Sequence, residues 1–175
     1  MYADYKDQTN QTLVHILGSF LRQFLTTVPV PIPVEVIKKL QNTHNLGRKL
    51  GTEDTLALLK IWLDQLKQLS QTTFICIDAV DELQPLVRQQ LLDVLRELVT
   101  DYNIRLFLTG RGHIQSEVQK RFEVAQKHEM SPSQQDIRNF VRQKIKEDEH
   151  LNPEAMDDVM ANDIEGAIIK KSKGM

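Results

Sequence analysis

Apolar side chains recur at three- and four-residue steps through residues 12–27, where Leu13, Ile16, Leu17, Phe20, Leu21 and Phe24 share one helical face. The spacing predicts an amphipathic helix lying on a sheet. The run Val28-Pro29-Val30-Pro31-Ile32-Pro33 ends it, because proline lacks an amide donor and pushes the preceding residue toward extended backbone. Residues 34–40 allow one or two turns, and Asn45-Leu46-Gly47 with Gly51 marks an irregular connection. From Thr52 the helical spacing returns in Leu56, Leu59, Trp62, Leu63, Leu66 and Leu69, with Asp54 near the positive end of the helix dipole. The pattern then changes character.

Residues 72–78, Thr-Thr-Phe-Ile-Cys-Ile-Asp, form a short run of strand formers, and residues 104–109, Ile-Arg-Leu-Phe-Leu-Thr, form a second. Both read as parallel strands buried on two faces. Between them Pro85 opens a helix whose apolar stripe is Val87, Leu91, Val94, Leu95 and Leu98, and Tyr102-Asn103 turns the chain. The result is one right-handed β-α-β unit. Residues 114–122 suit a short helix and residues 122–130 permit a further strand. Ser131-Pro132-Ser133 with Asp136 resembles a helix cap ahead of Ile137, Phe140, Val141 and Ile145, and Asn152-Pro153-Glu154 opens a last helix by the same logic. The fold class expected is α/β, with a core over residues 1–130 and the start of a helical region over 131–175.

Composition narrows the function. With 41% apolar and 26% charged residues the chain has the make-up of an ordinary globular domain, and 22 basic against 24 acidic residues leave a net charge of -2. That balance favours small-molecule or protein partners, with no nucleic acid and no membrane. The lone Cys76 cannot form an internal disulfide, no signal segment opens the chain, and no apolar run reaches the roughly 20 residues of a membrane span, so a cytoplasmic location is expected. His15, His44, His113, His128 and His150 lack paired metal-ligand spacing. Trp62 falls on an apolar helix face and reads as core. Lys170, Lys171 and Lys173 read as a solvated helix end.

The chemistry is concentrated in Phe74-Ile75-Cys76-Ile77-Asp78-Ala79-Val80-Asp81-Glu82-Leu83, where three carboxylates follow a buried strand. Open α/β sheets bind ligands at that edge. Asp78, at the end of the apolar run, is placed to hold a magnesium ion that neutralises nucleotide phosphates. Glu82 is better spaced than Asp81 to orient or deprotonate an attacking water, and Asp81 can assist either the metal or the water. Acids after a strand also cap helices, and that plainer role stays open for each of them. The second strand ends in Leu108-Thr109-Gly110-Arg111, which brings Arg111 to the same edge, where it can meet a terminal phosphate or remain solvated.

In this order Asp78-Ala79-Val80-Asp81-Glu82-Leu83, then Arg105-Leu106-Phe107-Leu108-Thr109-Gly110-Arg111, then Asp136-Ile137 resembles the NACHT domain of fungal STAND-type P-loop NTPases, the group that includes nephrocystin-3-like N-terminal domains. Tyr2-Ala3-Asp4-Tyr5-Lys6-Asp7-Gln8 resembles the end of that family's second strand. The resemblance implies a three-layer α/β/α P-loop NTPase-like fold with a mainly parallel sheet, incomplete here and followed by a helical segment. It gives Asp78 the Walker B role at magnesium, Asp81 and Glu82 the hydrolysis role, and Arg111 a sensor role toward ATP or GTP. The family's G-x-x-x-x-G-K-[ST] loop occurs nowhere in the 175 residues, so the lysine and amides of the phosphate cradle are missing. The expectation is therefore a fragment of a nucleotide-binding signalling switch, cut at both ends and inactive alone. The alternative is a protein-interaction module that needs no nucleotide. Protein partners or self-association are expected under either.

Overall fold

The computed structural model describes residues 1–7, 10–27, 30–151 and 158–172. They fall into two compact units, Met1–Ala125 and Gln126–Met175. The first unit holds the helices α1 (Leu13–Thr27), α2 (Val34–Asn45) and α3 (Thr52–Gln68), strand β1 (Thr73–Ile77), helix α4 (Pro85–Asp101), strand β2 (Ile104–Leu108) and the short helix α5 (Gln115–Gln119). The second holds α6 (Gln134–Leu151) and α7 (Asp158–Ser172). The fold is mixed α/β, a two-stranded parallel sheet among helices followed by a helical segment.

Strand β1 pairs with β2 in parallel, in the register Thr73 with Ile104 through Ile77 with Leu108. The chain start adds a third line on the opposite side of β1. Tyr2 bridges Asp78 in parallel, the Ala3 amide donates to the Asp78 carbonyl at 3.0 Å, and the Asp78 amide donates to the Met1 carbonyl at 2.9 Å. The lateral order is thus chain start, β1, β2, each step in the same direction. Crossovers of one hand then bring every connecting helix to the same face.

Burial agrees with that topology. Ile16, Leu17, Phe20 and Leu21 of α1, Leu59, Trp62, Leu63 and Leu66 of α3, and Leu91, Leu95 and Leu98 of α4 join Ile75, Ile77 and Ile104 in one core. Along β1 the side chains alternate between buried and exposed. The expectation of strands buried on both faces is therefore corrected. Phe74 is 69% and Phe107 58% exposed, and Cys76 faces solvent between them. Of the three expected layers, the described residues supply the sheet and the helices of one face.

The helix ends follow local chemistry. Helix α2 is longer than the one or two turns expected: it continues past Leu40, its last apolar residue, through the polar residues 41–45. It ends where Gly47, at φ 61°, donates to the His44 carbonyl and Arg48 to Thr43, a paired closure of the last turn. Helix α3 closes the same way, with Ser70 taking the left-handed position at φ 54°. Pro85 opens α4 as its sequence position suggested. Residues 123–133 form no strand, which corrects the strand allowed over residues 122–130. Val124 is almost fully exposed there and pairs with no sheet edge. In the second unit, Ser133 and Asp136 exchange hydrogen bonds at the head of α6, and Arg142 grips Glu165 of α7 at 2.8 and 3.2 Å. The opening expected at Asn152-Pro153-Glu154 lies outside the described residues.

Candidate functional site

At the carboxyl end of the sheet the two strands are laced together past their last ladder pair. The Thr109 amide donates to the Ile77 carbonyl at 3.0 Å, and the Val80 amide donates to the Thr109 carbonyl at 2.9 Å. The Thr109 hydroxyl accepts from the Ala79 amide at 2.8 Å and donates to an Asp78 carboxylate oxygen. Asp78 is otherwise exposed. One of its oxygens is held by the neighbouring strand while the carboxylate as a whole stays open to solvent.

After Asp78 the backbone reverses sharply. Ala79 sits in the left-handed region at φ 55°, a conformation that costs energy for a residue with a Cβ. Residues Val80–Glu82 then form a single tight turn. The reversal drives Val80 into the core and turns Asp81 inward, so that its side chain is only 5% exposed. There the Asp81 carboxylate accepts the Arg111 amide at 3.2 Å and faces the Arg111 guanidinium at 3.6 Å. Glu82 takes the Tyr5 amide at 3.1 Å and lies 3.8 Å from the other end of that guanidinium. Gly110 makes the close approach possible. A Cβ there would lie 2.8 Å from Ile114 Cδ1 and 3.3 Å from Asp81 Oδ1.

All four residues singled out in the sequence, Asp78, Asp81, Glu82 and Arg111, meet at this one edge. They divide by environment: Asp78 is exposed, Asp81 and Glu82 are partly sheltered, and the Arg111 side chain is 77% exposed with both sheltered acids on one side. Arg111 is thus anchored by its backbone, and its guanidinium, set against the two acids on one side, is exposed on the other. Among the described residues no group of three or more His, Cys, Asp or Glu side chains is arranged to hold a metal ion. Magnesium does not need such a group, since one or two carboxylates, waters and substrate phosphates complete its octahedron.

Residues 1–111 match the family described as Nephrocystin 3, N-terminal, which covers more than half of the chain. The chain belongs to the nephrocystin 3 N-terminal family. The match ends at Arg111, so the whole of the laced edge falls inside it. Searches of curated proteins and of solved structures find no match. No helix among the described residues is long and apolar enough to cross a membrane.

Two parts of this nephrocystin 3 N-terminal site were not singled out from sequence. Thr109 reads as the last residue of a strand, and its hydroxyl gives no spacing signal. Arg88 does give one. It occupies the stripe of α4 shared with Leu91, Leu95 and Leu98, where a charge is out of place, and it is buried. Its guanidinium donates to the carbonyls of Leu83 at 3.2 Å and Asp81 at 3.4 Å, and to Glu117 of α5 at 3.0 Å.

Proposed function

We propose that this edge is the metal-side half of a nucleotide site, belonging to a NACHT-type signalling switch that binds ATP or GTP. The observation that carries the reading is the placement of an exposed Asp78, steadied through Thr109, and of the largely exposed Arg111 side chain at the same sheet edge. Asp78 supplies the carboxylate for magnesium, and Arg111 supplies the cation for a terminal phosphate. A bound magnesium ion would neutralise phosphate charge at Asp78. Glu82 and Asp81 are the acids for the attacking water, and their present partners set a condition on that role. The Tyr5 amide and the guanidinium stabilise Glu82 as the carboxylate, which opposes its taking a proton from water, whereas Asp81 acts first as the mount for Arg111.

The residues present fit the cation side of such a site and lack its phosphate cradle, because these 175 residues contain no glycine-rich loop with a following lysine. The chain by itself should therefore hold nucleotide weakly. The test uses manganese in place of magnesium on the full chain, with and without ATP, read by amide line broadening. Broadening centred on Asp78, Ala79 and Thr109, at millimolar concentrations and abolished by Asp78→Asn, is the expected result. Broadening that ignores the substitution, or that centres elsewhere, removes Asp78 from the metal role.

A second reading rests on a different observation, the bare sheet face that carries Phe74 and Phe107. An apolar face beside an open strand edge suits association, in which the chain serves as an interaction module by self-pairing. The two readings use different surfaces and are tested separately.

A further inference from the structure

Arg88 and Glu117 lie outside the sheet edge, yet Arg88 touches the acidic turn and Glu117 belongs to the segment that leads on from Arg111. A buried arginine in a leucine stripe carries a desolvation cost that apolar packing would avoid, so its contribution is better sought in what it holds in place. Its Nη1 grips the carbonyls of Asp81, in the middle of the acidic turn after β1, and of Leu83, the residue that closes it. Its Nε grips Glu117 on α5, a few residues beyond Arg111. Arg111 in turn returns its amide to Asp81. The contacts close a ring: acidic turn, Arg88, Glu117, the segment after β2, Arg111, and back to Asp81.

From that ring we infer that Arg88 is a positioning residue which, with Glu117, locks the acidic turn to the segment after β2, so that Asp81 and Arg111 keep one mutual geometry and move together. Its importance for the nucleotide site rests on the reading above; the locking itself is measurable without nucleotide or metal. A neighbouring pair supplies the control. Arg121, just beyond α5, binds Asp93 of α4 at 2.6 and 3.2 Å and donates to the backbone carbonyl of Glu117 at 3.3 Å, which ties α4 to the end of α5 without touching the acidic turn or the Glu117 carboxylate.

The experiment is amide hydrogen exchange on the full chain, comparing the native protein with the double variant Arg88→Met/Glu117→Leu and with Asp93→Asn/Arg121→Gln. Replacing both partners leaves no unpaired buried charge, so the first variant folds even where Arg88→Met alone does not. Exchange at Leu83, Arg111 and Ile114 should rise at least tenfold in that variant while Ile75 and Leu106 in the sheet stay within twofold. The Asp93/Arg121 variant should leave all five amides within twofold. Unchanged exchange at Arg111 and Leu83 in the double variant, or an equal rise across all five, makes Arg88 an ordinary packing residue and overturns the inference. Loss of manganese binding at Asp78 in the native chain would instead count against the nucleotide reading and leave the exchange result to stand or fall by itself.

Discussion

One face of the β1–β2 sheet is covered by three helices and the other carries Phe74, Cys76 and Phe107 into solvent. The same ten strand residues thus serve two environments, with Ile75, Ile77 and Ile104 inside and the aromatic pair outside. On β1 composition does not distinguish them, because both sets are apolar. Topology does, since the chain start, β1 and β2 advance across the sheet in one direction and their crossovers fall on one side. Stability therefore resides in the helical layer, and the other face stays exposed.

The strongest test of that division is Trp62, the largest side chain in the covered layer and fully buried. Trp62→Ala should cost about 3–5 kcal/mol, read from the urea midpoint, because the site loses transfer energy and keeps a cavity. Its indole N–H has no hydrogen-bond partner among the described residues. Trp62→Phe should therefore cost far less than the alanine change, since it removes an unsatisfied donor along with one ring. A small loss for Trp62→Ala would show that the covered layer is not where the unit is held together.

How much of this was legible beforehand follows from what each signal contains. Periodicity reports one-sided helices well, and α1, α3 and α4 lie where Leu13 to Phe24, Leu56 to Leu66 and Val87 to Leu98 predicted them. It cannot report which side of β1 is covered, because Phe74 and Cys76 are as apolar as Ile75 and Ile77; on β2 the exposed Arg105, on the same side as Phe107, is the residue that marks the open face. The run Asp78 to Glu82 and Arg111 were legible as neighbours because parallel strands bring their carboxyl ends to one edge. The inward turn of Asp81 was not, since it depends on the left-handed Ala79, a residue whose type gives no hint of that conformation. Arg88 was readable in principle as a charge in an apolar stripe. Its partner Glu117 lies 29 residues away and is found only in three dimensions.

A smaller effect is expected at the rim of the covered layer, where Asp93 meets Arg121. The hydrogen bond from the Arg121 guanidinium holds the Asp93 carboxyl below its usual range. A carboxylate with a depressed folded pKa adds stability above its unfolded value, near 3.9, and loses it as pH falls through the folded value. Asp93 is largely exposed, so solvent and salt screen the pair to about 0.5 kcal/mol. Asp93→Asn should lower stability by that amount at pH 7 and low salt, and the difference should vanish once the pH falls below the depressed folded value, and in molar salt. A difference that persists in acid would mean that the side chain acts through packing and not through charge.

The smallest change in stability, and the one that bears most directly on the two faces, is expected from Phe74→Thr with Phe107→Thr. Threonine keeps the strand preference of a β-branched residue while removing both rings, so the backbone ladder to Ile75 and Leu106 has no reason to weaken. Neither ring reaches the helical core, and surface changes away from packed features stay within about 0.5 kcal/mol. The urea midpoint should therefore barely move. Association should move instead: two aromatic side chains beside an open strand edge form an apolar patch, and replacing them removes most of what a second copy would bury. Sedimentation across a concentration series should show the native chain gaining mass where the double variant does not. A loss of 2 kcal/mol or more in the double variant would mean that this face is covered in solution after all. Equal association of both forms would leave the open strand edge, and not the aromatic face, as the surface that joins the copies.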